Sequence, residues 1–129
     1  MKKLLFILML IPFLGVAQGN KDNGKQLKGI ATIYAKRFNG LRTATGEIFK
    51  HSNLTAASNN FKINTWVKVT NLINYRSVIV RINDRMHPRM AKLGRVVDLT
   101  QAAAKLLGSF DGMVNVKVEE IAGILPSDD

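Results

Sequence analysis

Hydrophobic and polar residues alternate along several short stretches of this chain. Alternation of this kind is typical of strands with one buried face. The stretches are also rich in β-branched residues, which favour the same structure. We predict strands at residues 30–34, 66–72, 76–83 and 114–121.

Two turn signals lie between or beside these strands. Asn74-Tyr75 separates two alternating stretches and predicts a tight hairpin, since Asn tolerates positive φ. Asp111-Gly112 predicts a turn directly before the last strand.

One helix is well marked. Thr100 is a suitable N-cap, residues 101–107 are rich in Ala and Leu, and Gly108 suits the position after the helix. A helix of about two turns is not stable alone, so it must pack on the sheet. A second short helical or irregular piece is expected at 53–59.

These elements predict a mainly β fold of about six short strands with one or two small helices. In so short a chain, a small closed or nearly closed barrel hides the sheet edges.

The N-terminus has the pattern of a signal peptide. Lys2 and Lys3 precede an apolar run at 4–16, and small residues follow up to Ala17. The run is shorter than the ~20 residues of a spanning helix, which predicts cleavage near Ala17 and no stable membrane insertion, with a retained anchor as the alternative. The remaining domains are predicted as a flexible leader at 18–28, the barrel at 29–123 and a tail at 124–129.

The composition excludes several kinds of site. The chain has no cysteine, which excludes disulfides, a thiol nucleophile and a lipid anchor on cysteine. With only two histidines, a Cys/His zinc site is excluded too, and nothing points to a metal or organic cofactor.

The chain is strongly basic. Nineteen Lys and Arg against nine Asp and Glu give a net charge of +10. Such a charge favours an anionic partner, for which cell-wall polymer, anionic lipid and nucleic acid are the candidates. The basic residues are scattered, which argues against dedicated nucleic-acid binding.

Two of the scarce carboxylates suggest chemistry. Glu47 follows Gly46 in a Thr/Gly-rich loop, and Asp84 ends an alternating strand. Two carboxyl groups in different environments are what acid/base cleavage of a glycosidic bond uses. Arg42 and Arg85 are the neighbouring cations that would tune them. The alternative is that both carboxylates are turn formers or members of structural ion pairs.

Other polar and aromatic residues are less specific. Asp98 lies two residues before Thr100, at the junction of strand and helix, and is interpreted as a structural cap. His51 and His87 lie in turn-like contexts and have no defined role. Tyr34 is the better candidate for stacking on a sugar ring, whereas Trp66 is expected in the core.

Several motifs in order resemble the rare lipoprotein A family of bacterial cell-wall proteins. They include Thr43-Ala44-Thr45-Gly46-Glu47, Asn83-Asp84-Arg85 and Val97-Asp98-Leu99-Thr100. The resemblance covers residues 29–121 and runs through 29–34, 38–47, 54–57, 67–71, 80–85 and 97–104.

The resemblance implies a fold and an activity. The fold is a six-stranded double-psi β-barrel, and the protein is exported to the periplasm or cell wall. The activity is endolytic: a lytic transglycosylase cuts peptidoglycan glycan strands between N-acetylmuramic acid and N-acetylglucosamine and forms a 1,6-anhydro product. The muramic 6-hydroxyl is the nucleophile, so one carboxylic acid can suffice. A monomer is expected.

The resemblance also implies site residues. The family's acid falls on Glu47, and Asp84 orients substrate or stabilises positive charge. The expected substrate contacts are Tyr34, Thr43, Ser58, Asn83 and Arg85.

Three positions depart from the family pattern. Ser58 replaces the usual histidine, Ala35 replaces a glycine, and Met86-His87-Pro88 replaces a Gly-Pro loop. Serine offers no near-neutral pKa. The alternatives to an enzyme are therefore a non-catalytic peptidoglycan-binding or expansin-like module, or a basic secreted protein that binds another macromolecule.

Overall fold

The computed structural model describes residues 24–108 and 111–122. Its strands are β1 (Gln26–Ile33), β2 (Thr55–Ala57), β3 (Trp66–Asn71), β4 (Ser77–Asp84), β5 (Arg95–Leu99) and β6 (Met113–Glu120). Its helices are α1 (Pro88–Lys92), α2 (Gln101–Leu106) and a 3-10 turn at Lys36–Phe38.

The six strands close into one barrel. Their order around it is β1-β5-β2-β4-β3-β6, with β1 and β6 paired to complete the ring. The predicted mainly β, six-stranded barrel is confirmed. Closure pairs both edges of every strand, which removes the exposed edges that a flat sheet of this size would carry.

The barrel begins earlier than predicted. β1 starts at Gln26, and residues 26–28 pair with 117–119 of β6. The end of the predicted leader at residue 28 is therefore wrong, because hydrogen bonds to β6 fix a polar segment that has no turn signal of its own. The predicted signal peptide and tail lie outside the described residues.

The barrel interior is filled by the inward residues of the alternating strands. Completely buried members of this core are Val67, Val69, Val80, Ile82, Val97, Leu99, Val116 and Val118. Burying each such side chain contributes roughly 1.5–3 kcal/mol. Trp66, predicted for the core, is only half-buried.

The hairpin between β3 and β4 forms where it was predicted, but with a different backbone. Tyr75, not Asn74, has the positive φ, at 62°. Two asparagine side chains accept hydrogen bonds from backbone N–H groups instead. Oδ1 of Asn71 accepts from Ile73 at 2.8 Å, and Oδ1 of Asn74 accepts from Arg76 at 2.9 Å. The asparagines therefore shape the turn through their side chains.

The prediction for α2 is confirmed. The Thr100 hydroxyl accepts a hydrogen bond from the Ala103 N–H at 3.2 Å, and Gly108 follows the helix with φ of 100°. The helical or irregular piece expected at 53–59 is wrong, because this segment supplies β2 between β4 and β5. In the described part of the chain, no helix is long and apolar enough to span a bilayer.

Candidate functional site

Four residues from four neighbouring strands form one row across the outside of the barrel. Thr32 pairs with Asp98, Asp98 with Ala57, and Ala57 with Asp84. Residues paired in register point to the same face of a sheet. The neighbouring Ala56 belongs to the core, so this row faces away from it.

An irregularity in the pairing of β4 places Asp84 in this row. Ala56 pairs with Ile82, but the next residue, Ala57, pairs with Asp84 and skips Asn83. An extra residue of this kind re-aims the side chains that follow it. Without it, Asn83 would lie beside Ala57.

The row forms part of a cavity of about 620 Å³, which we call the outer cavity. Tyr34 and Phe38 contribute aromatic walls, and Met86 and His87 lie at one side. Four arginines also line it: Arg37, Arg85, Arg89 and Arg95. The outer cavity therefore combines two carboxyl groups with a basic rim.

A small aromatic cluster supports the cavity wall. Tyr34 stacks on Phe49 with ring centroids 4.2 Å apart, and Phe38 meets Tyr34 edge-on at 5.7 Å. Tyr34 is only 7% exposed, and its hydroxyl donates a hydrogen bond to Oδ2 of Asp84 at 2.6 Å. Burial and the Asp84 carboxylate raise the pKa of Tyr34 well above its usual range.

Three donors fix the carboxyl group of Asp84. Besides the Tyr34 hydroxyl, the Ala44 N–H donates to Oδ1 at 2.8 Å and the Arg85 N–H at 2.9 Å. A carboxylate is suited to accept several such bonds. The Ala44 contact ties Asp84 directly to the loop at 43–47.

The loop at 43–47 is a tight turn that presents Glu47. The Thr43 N–H donates to the Glu47 carbonyl at 2.8 Å, and the Gly46 N–H donates to the Thr43 carbonyl at 2.9 Å. Gly46 has φ of 89°, which agrees with the turn expected from the sequence. Thr43 is buried. The backbone carbonyl of Asn83 accepts a hydrogen bond from the Thr45 N–H at 3.3 Å.

Glu47 forms a two-pronged ion pair with Arg81. The Arg81 guanidinium lies 2.6 Å from Oε2 and 3.1 Å from Oε1, and the Thr45 hydroxyl donates to Oε1 at 2.7 Å. The hydrogen bonds from Arg81 and Thr45 lower the pKa of Glu47 to about 2. The side chain is 42% exposed, so solvent screens this pair. Glu47 does not line the outer cavity; the loop, rather than a shared pocket, connects it to Asp84.

Arg42, the cation predicted to lie beside the Glu47 carboxylate, is not its partner. The Arg42 guanidinium donates instead to the Gly46 carbonyl at 2.7 Å and so stabilises the turn. Arg81 lies on β4, thirty-four residues from Glu47 along the chain. The outward position of Arg81 in the alternating stretch could be predicted from the sequence. Its pairing with Glu47 could not, because this depends on how the loop at 43–47 folds over β4.

Asp98 has a different role from the predicted one. Thr100 caps α2, whereas Asp98 lies within β5 and accepts a hydrogen bond from the Thr32 hydroxyl at 3.1 Å. Its carboxyl group lines the outer cavity and is half-buried. Burial raises the pKa of Asp98 to about 6, and the Asp84 charge adds to this rise. The Thr32 hydroxyl, Arg95 and His51 oppose it.

Ser58 is not placed to contact a substrate. It is completely buried, and its hydroxyl accepts the Asn60 N–H at 3.1 Å. It does not line the outer cavity. The predicted substrate contact by Ser58 is therefore not supported, because its side chain is buried and bonded within the fold.

Neither Asn83 nor Arg85 is fully available to a substrate. Asn83 is 3% exposed. Arg85 lines the outer cavity, but its guanidinium also donates to the carbonyls of Ser58 and Phe61. Arg85 can contribute charge to the cavity while holding the turn that follows β2.

The two histidines differ in their positions. His51 packs edge-on against Phe49 at 4.7 Å, accepts the Gln101 N–H through Nδ1 at 3.2 Å, and places Nε2 3.3 Å from the Ala35 carbonyl. Both of its nitrogens are engaged. His87 accepts the Arg89 N–H through Nδ1 at 3.0 Å and lines the outer cavity.

Comparison with known proteins places this chain in a family. A family model described as lytic transglycolase matches residues 26–118. The endolytic peptidoglycan transglycosylase RlpA of Pasteurella multocida is 46% identical over 100 residues, which cover 77% of this chain and 33% of that protein. The protein of the same name from Haemophilus influenzae is 40% identical over 104 residues, covering 80% and 35%. The chain thus spans about a third of the length of these curated relatives.

Solved structures agree on the fold. The Streptomyces papain inhibitor superposes with a TM-score of 0.59 at 23% identity, covering 78% of this chain and 97% of that one. The expansin of Clavibacter michiganensis gives 0.61 at 19% identity, covering 78% and 52%. The rationally designed protein apDPBB_sym_79 gives 0.52 at 14% identity, covering 75% and 99%. The chain has the double-psi β-barrel fold and belongs to the lytic transglycolase family.

Proposed function

We propose that this chain is an endolytic peptidoglycan lytic transglycosylase. It cleaves the glycosidic bond between N-acetylmuramic acid and N-acetylglucosamine and leaves a 1,6-anhydro end. The observation that carries the proposal is the position of Asp84, which lies in a sugar-sized cavity, is fixed by three donors, and is bonded to the loop that bears Glu47. The matching family and the names of the relatives support the same activity.

The outer cavity suits a segment of glycan strand. Its volume of about 620 Å³ is within the usual range of ligand sites. Muramic acid carries an anionic lactyl group or a peptide with carboxylates, and the arginine rim attracts both. Among the expected substrate contacts, Tyr34 and Arg85 line this cavity, whereas Thr43 and Asn83 hold the adjoining loop.

The reaction requires two proton movements. When the bond between C1 and the leaving O4 breaks, O4 takes up a proton; as the muramic O6 closes onto C1, its hydroxyl loses one. No water enters the product. Asp84 faces the positive charge that develops at C1, and its three donors hold it there without reorganisation.

Glu47 is the candidate acceptor of the O6 proton in this reaction. Its ion pair with Arg81 keeps it ionised at neutral pH, and it takes the proton from O6 as that pair loosens, since the same hydrogen bonds weaken it as a base. To serve as the proton donor expected from the sequence, it would first have to lose Arg81. The loop that bears Glu47 adjoins the cavity through the bond from the Ala44 N–H to Asp84, so a reacting sugar held at Asp84 lies next to this loop.

The proposed substrate lies outside the cytoplasmic membrane, so the activity requires export. This agrees with the signal peptide predicted from the sequence. Absence of a lipid anchor and a monomeric state remain predictions.

Digestion of purified peptidoglycan tests the proposal. The protein is incubated with intact strands and with strands stripped of their peptides, and anhydromuramyl products are measured by mass spectrometry. We expect products from the unaltered chain and a loss of about 100-fold or more in Glu47→Gln and Asp84→Asn. Asp111→Asn, at an exposed turn away from the cavity, is the matched control.

The second candidate is a non-catalytic module that binds peptidoglycan. It is favoured by Ser58, which is buried where the family usually has histidine. This candidate gives binding to insoluble peptidoglycan with no anhydro product, and the same binding in Glu47→Gln. That combination would contradict the enzyme proposal.

A further inference from the structure

The proposed reaction needs a proton donor that Glu47 does not supply. A general acid must hold its proton near the working pH and reach the leaving oxygen. Glu47 is paired with Arg81, which keeps it ionised and without a proton to donate. Ser58 is buried and has no suitable proton. A different acidic group is required.

Asp98 lies in the right place. It is in register with Ala57, which is in register with Asp84 on the other side. Two interstrand spacings of about 4.8 Å separate the α carbons of Asp98 and Asp84 by about 10 Å. Ala57, between them, is buried in a cluster with Tyr34 and Phe49, and both carboxyl groups line the outer cavity.

We propose that Asp98 is the catalytic residue that protonates the leaving glycosidic oxygen. The proposal rests on the proposed transglycosylase function and completes it. Asp98 and Asp84 then act on opposite sides of one bond: Asp98 at the departing O4, Asp84 at the charge on C1.

The step balances without another reactant. The proton on Asp98 moves to O4 as the C1–O4 electron pair leaves with that oxygen. The electron pair of O6 forms the new C1–O6 bond, and the O6 proton passes to the Glu47 carboxylate. Exchange with solvent then returns Asp98 to its acid form and Glu47 to its carboxylate.

The surroundings of Asp98 suit an acid. The Thr32 hydroxyl on β1 donates to it, Arg95 lies on its own strand, and Asp84 faces it across β2. His51 acts on it electrostatically, and Asp98 in turn acts on Tyr34, which lines the same cavity. Arg37, Arg85, His87 and Arg89 are the other charged or titratable groups that line the cavity.

The pKa of about 6 agrees with this role. Burial is the main cause, and the nearby Asp84 carboxylate adds to it, since two carboxylates disfavour each other's ionised forms. Asp98 is therefore about half protonated near pH 6 and roughly one-tenth protonated at pH 7. Activity that depends on this proton falls as the pH rises past that value.

Two variants test the proposal in the full chain on peptide-stripped peptidoglycan. Asp98→Asn removes the proton donor and is expected to lower anhydro-product formation by about 100-fold or more, while binding to the insoluble polymer persists. Thr32→Val removes a hydrogen bond that stabilises the ionised form. It is therefore expected to move the alkaline limb of the pH–kcat/KM profile to higher pH. Asp111→Asn should change neither.

The outcomes separate this proposal from the proposed function. If the unaltered chain forms no anhydro product at any pH, the transglycosylase function fails. If it forms product and Asp98→Asn keeps a third or more of the rate, Asp98 is not the donor and the function stands. If Asp98→Asn does not fold, as judged by circular dichroism, the Thr32→Val profile decides: an unmoved alkaline limb overturns the role of Asp98.

Discussion

The Tyr34 hydroxyl lies 2.6 Å from Oδ2 of Asp84 and connects the aromatic cluster to the candidate site. The ring of Tyr34 is stacked on Phe49, so the hydroxyl has little freedom to move. Tyr34 follows β1, and its N–H donates to the Leu99 carbonyl of β5 at 3.0 Å. The direction of the Asp84 carboxyl thus depends on the packing of residues from distant parts of the chain.

We expect Tyr34→Phe to lower activity by about tenfold with little effect on the fold. The substitution keeps the stacked ring and removes one of three donors to Asp84. A net loss of roughly 1–2 kcal/mol in unfolding free energy is expected for this bond. Product formation and thermal unfolding measure the two effects. Tyr75→Phe, at a residue that is 75% exposed, is the control. An unchanged rate in Tyr34→Phe would show that the hydroxyl does not position Asp84.

The elements in which buried and exposed residues alternate regularly could be predicted from the sequence. β3, β4 and β6 have a buried residue at every second position, and α2 has a recognisable cap at Thr100. β2 lacked such a signal. It has only three residues, and all three are buried, so alternation cannot reveal it. Its strand conformation comes from pairing with β4 and β5, which no local pattern shows.

The candidate site was predictable only in part. The Thr/Gly turn and Asp84 at a strand end were visible as motifs, because turn residues act locally. The irregular pairing that selects Asp84 over Asn83, and the approach of Arg81 to Glu47, depend on contacts between distant segments. Asp98 was interpreted as a cap because it precedes the helix. Its position on the outer face follows only from the register of β5 with β1 and β2.

Arg81→Gln is expected to raise the pKa of Glu47 from about 2 towards the usual value near 4.5. Arg81 supplies the largest of the contributions that lower it, and the Thr45 hydrogen bond remains. The titration of the Glu47 side-chain carboxyl carbon by NMR measures this directly. Arg76→Gln, at an exposed turn residue, is the matched control. A Glu47 titration that does not move in Arg81→Gln would show that the ion pair is not populated in solution.

Gly46→Ala is expected to reduce activity more than Gly40→Ala does. Both glycines have φ near +90° and open space where a Cβ would lie, so alanine is strained at both for the same backbone reason. We expect each to lose on the order of 1 kcal/mol in unfolding free energy. Only Gly46 precedes Glu47 and closes its turn. Equal activity in two variants of equal stability would show that the turn does not place Glu47.

Asp98→Asn is expected to stabilise the folded protein at pH 8. In the folded state the pKa of Asp98 is about 6, above the ordinary 3.8 of an unfolded chain. Below about pH 3.8 both states are protonated, and the carboxyl group has no effect on stability. Between about 3.8 and 6 only the unfolded state ionises, so stability falls as the pH rises. Above about pH 6 the full cost is present, on the order of 3 kcal/mol, and asparagine removes it.

Urea unfolding of both proteins at pH 4 and pH 8 measures this difference. The other titrating groups are common to both chains, so their contributions largely cancel when the two proteins are compared at one pH. The gain from Asp98→Asn should be present at pH 8 and nearly absent at pH 4, and Asp111→Asn should show no such dependence. A difference that is constant with pH would mean that Asp98 titrates normally in the fold. A variant that is more stable at pH 8 yet inactive would have the property expected of a catalytic carboxyl group, whose pKa is raised in a cavity at the expense of stability.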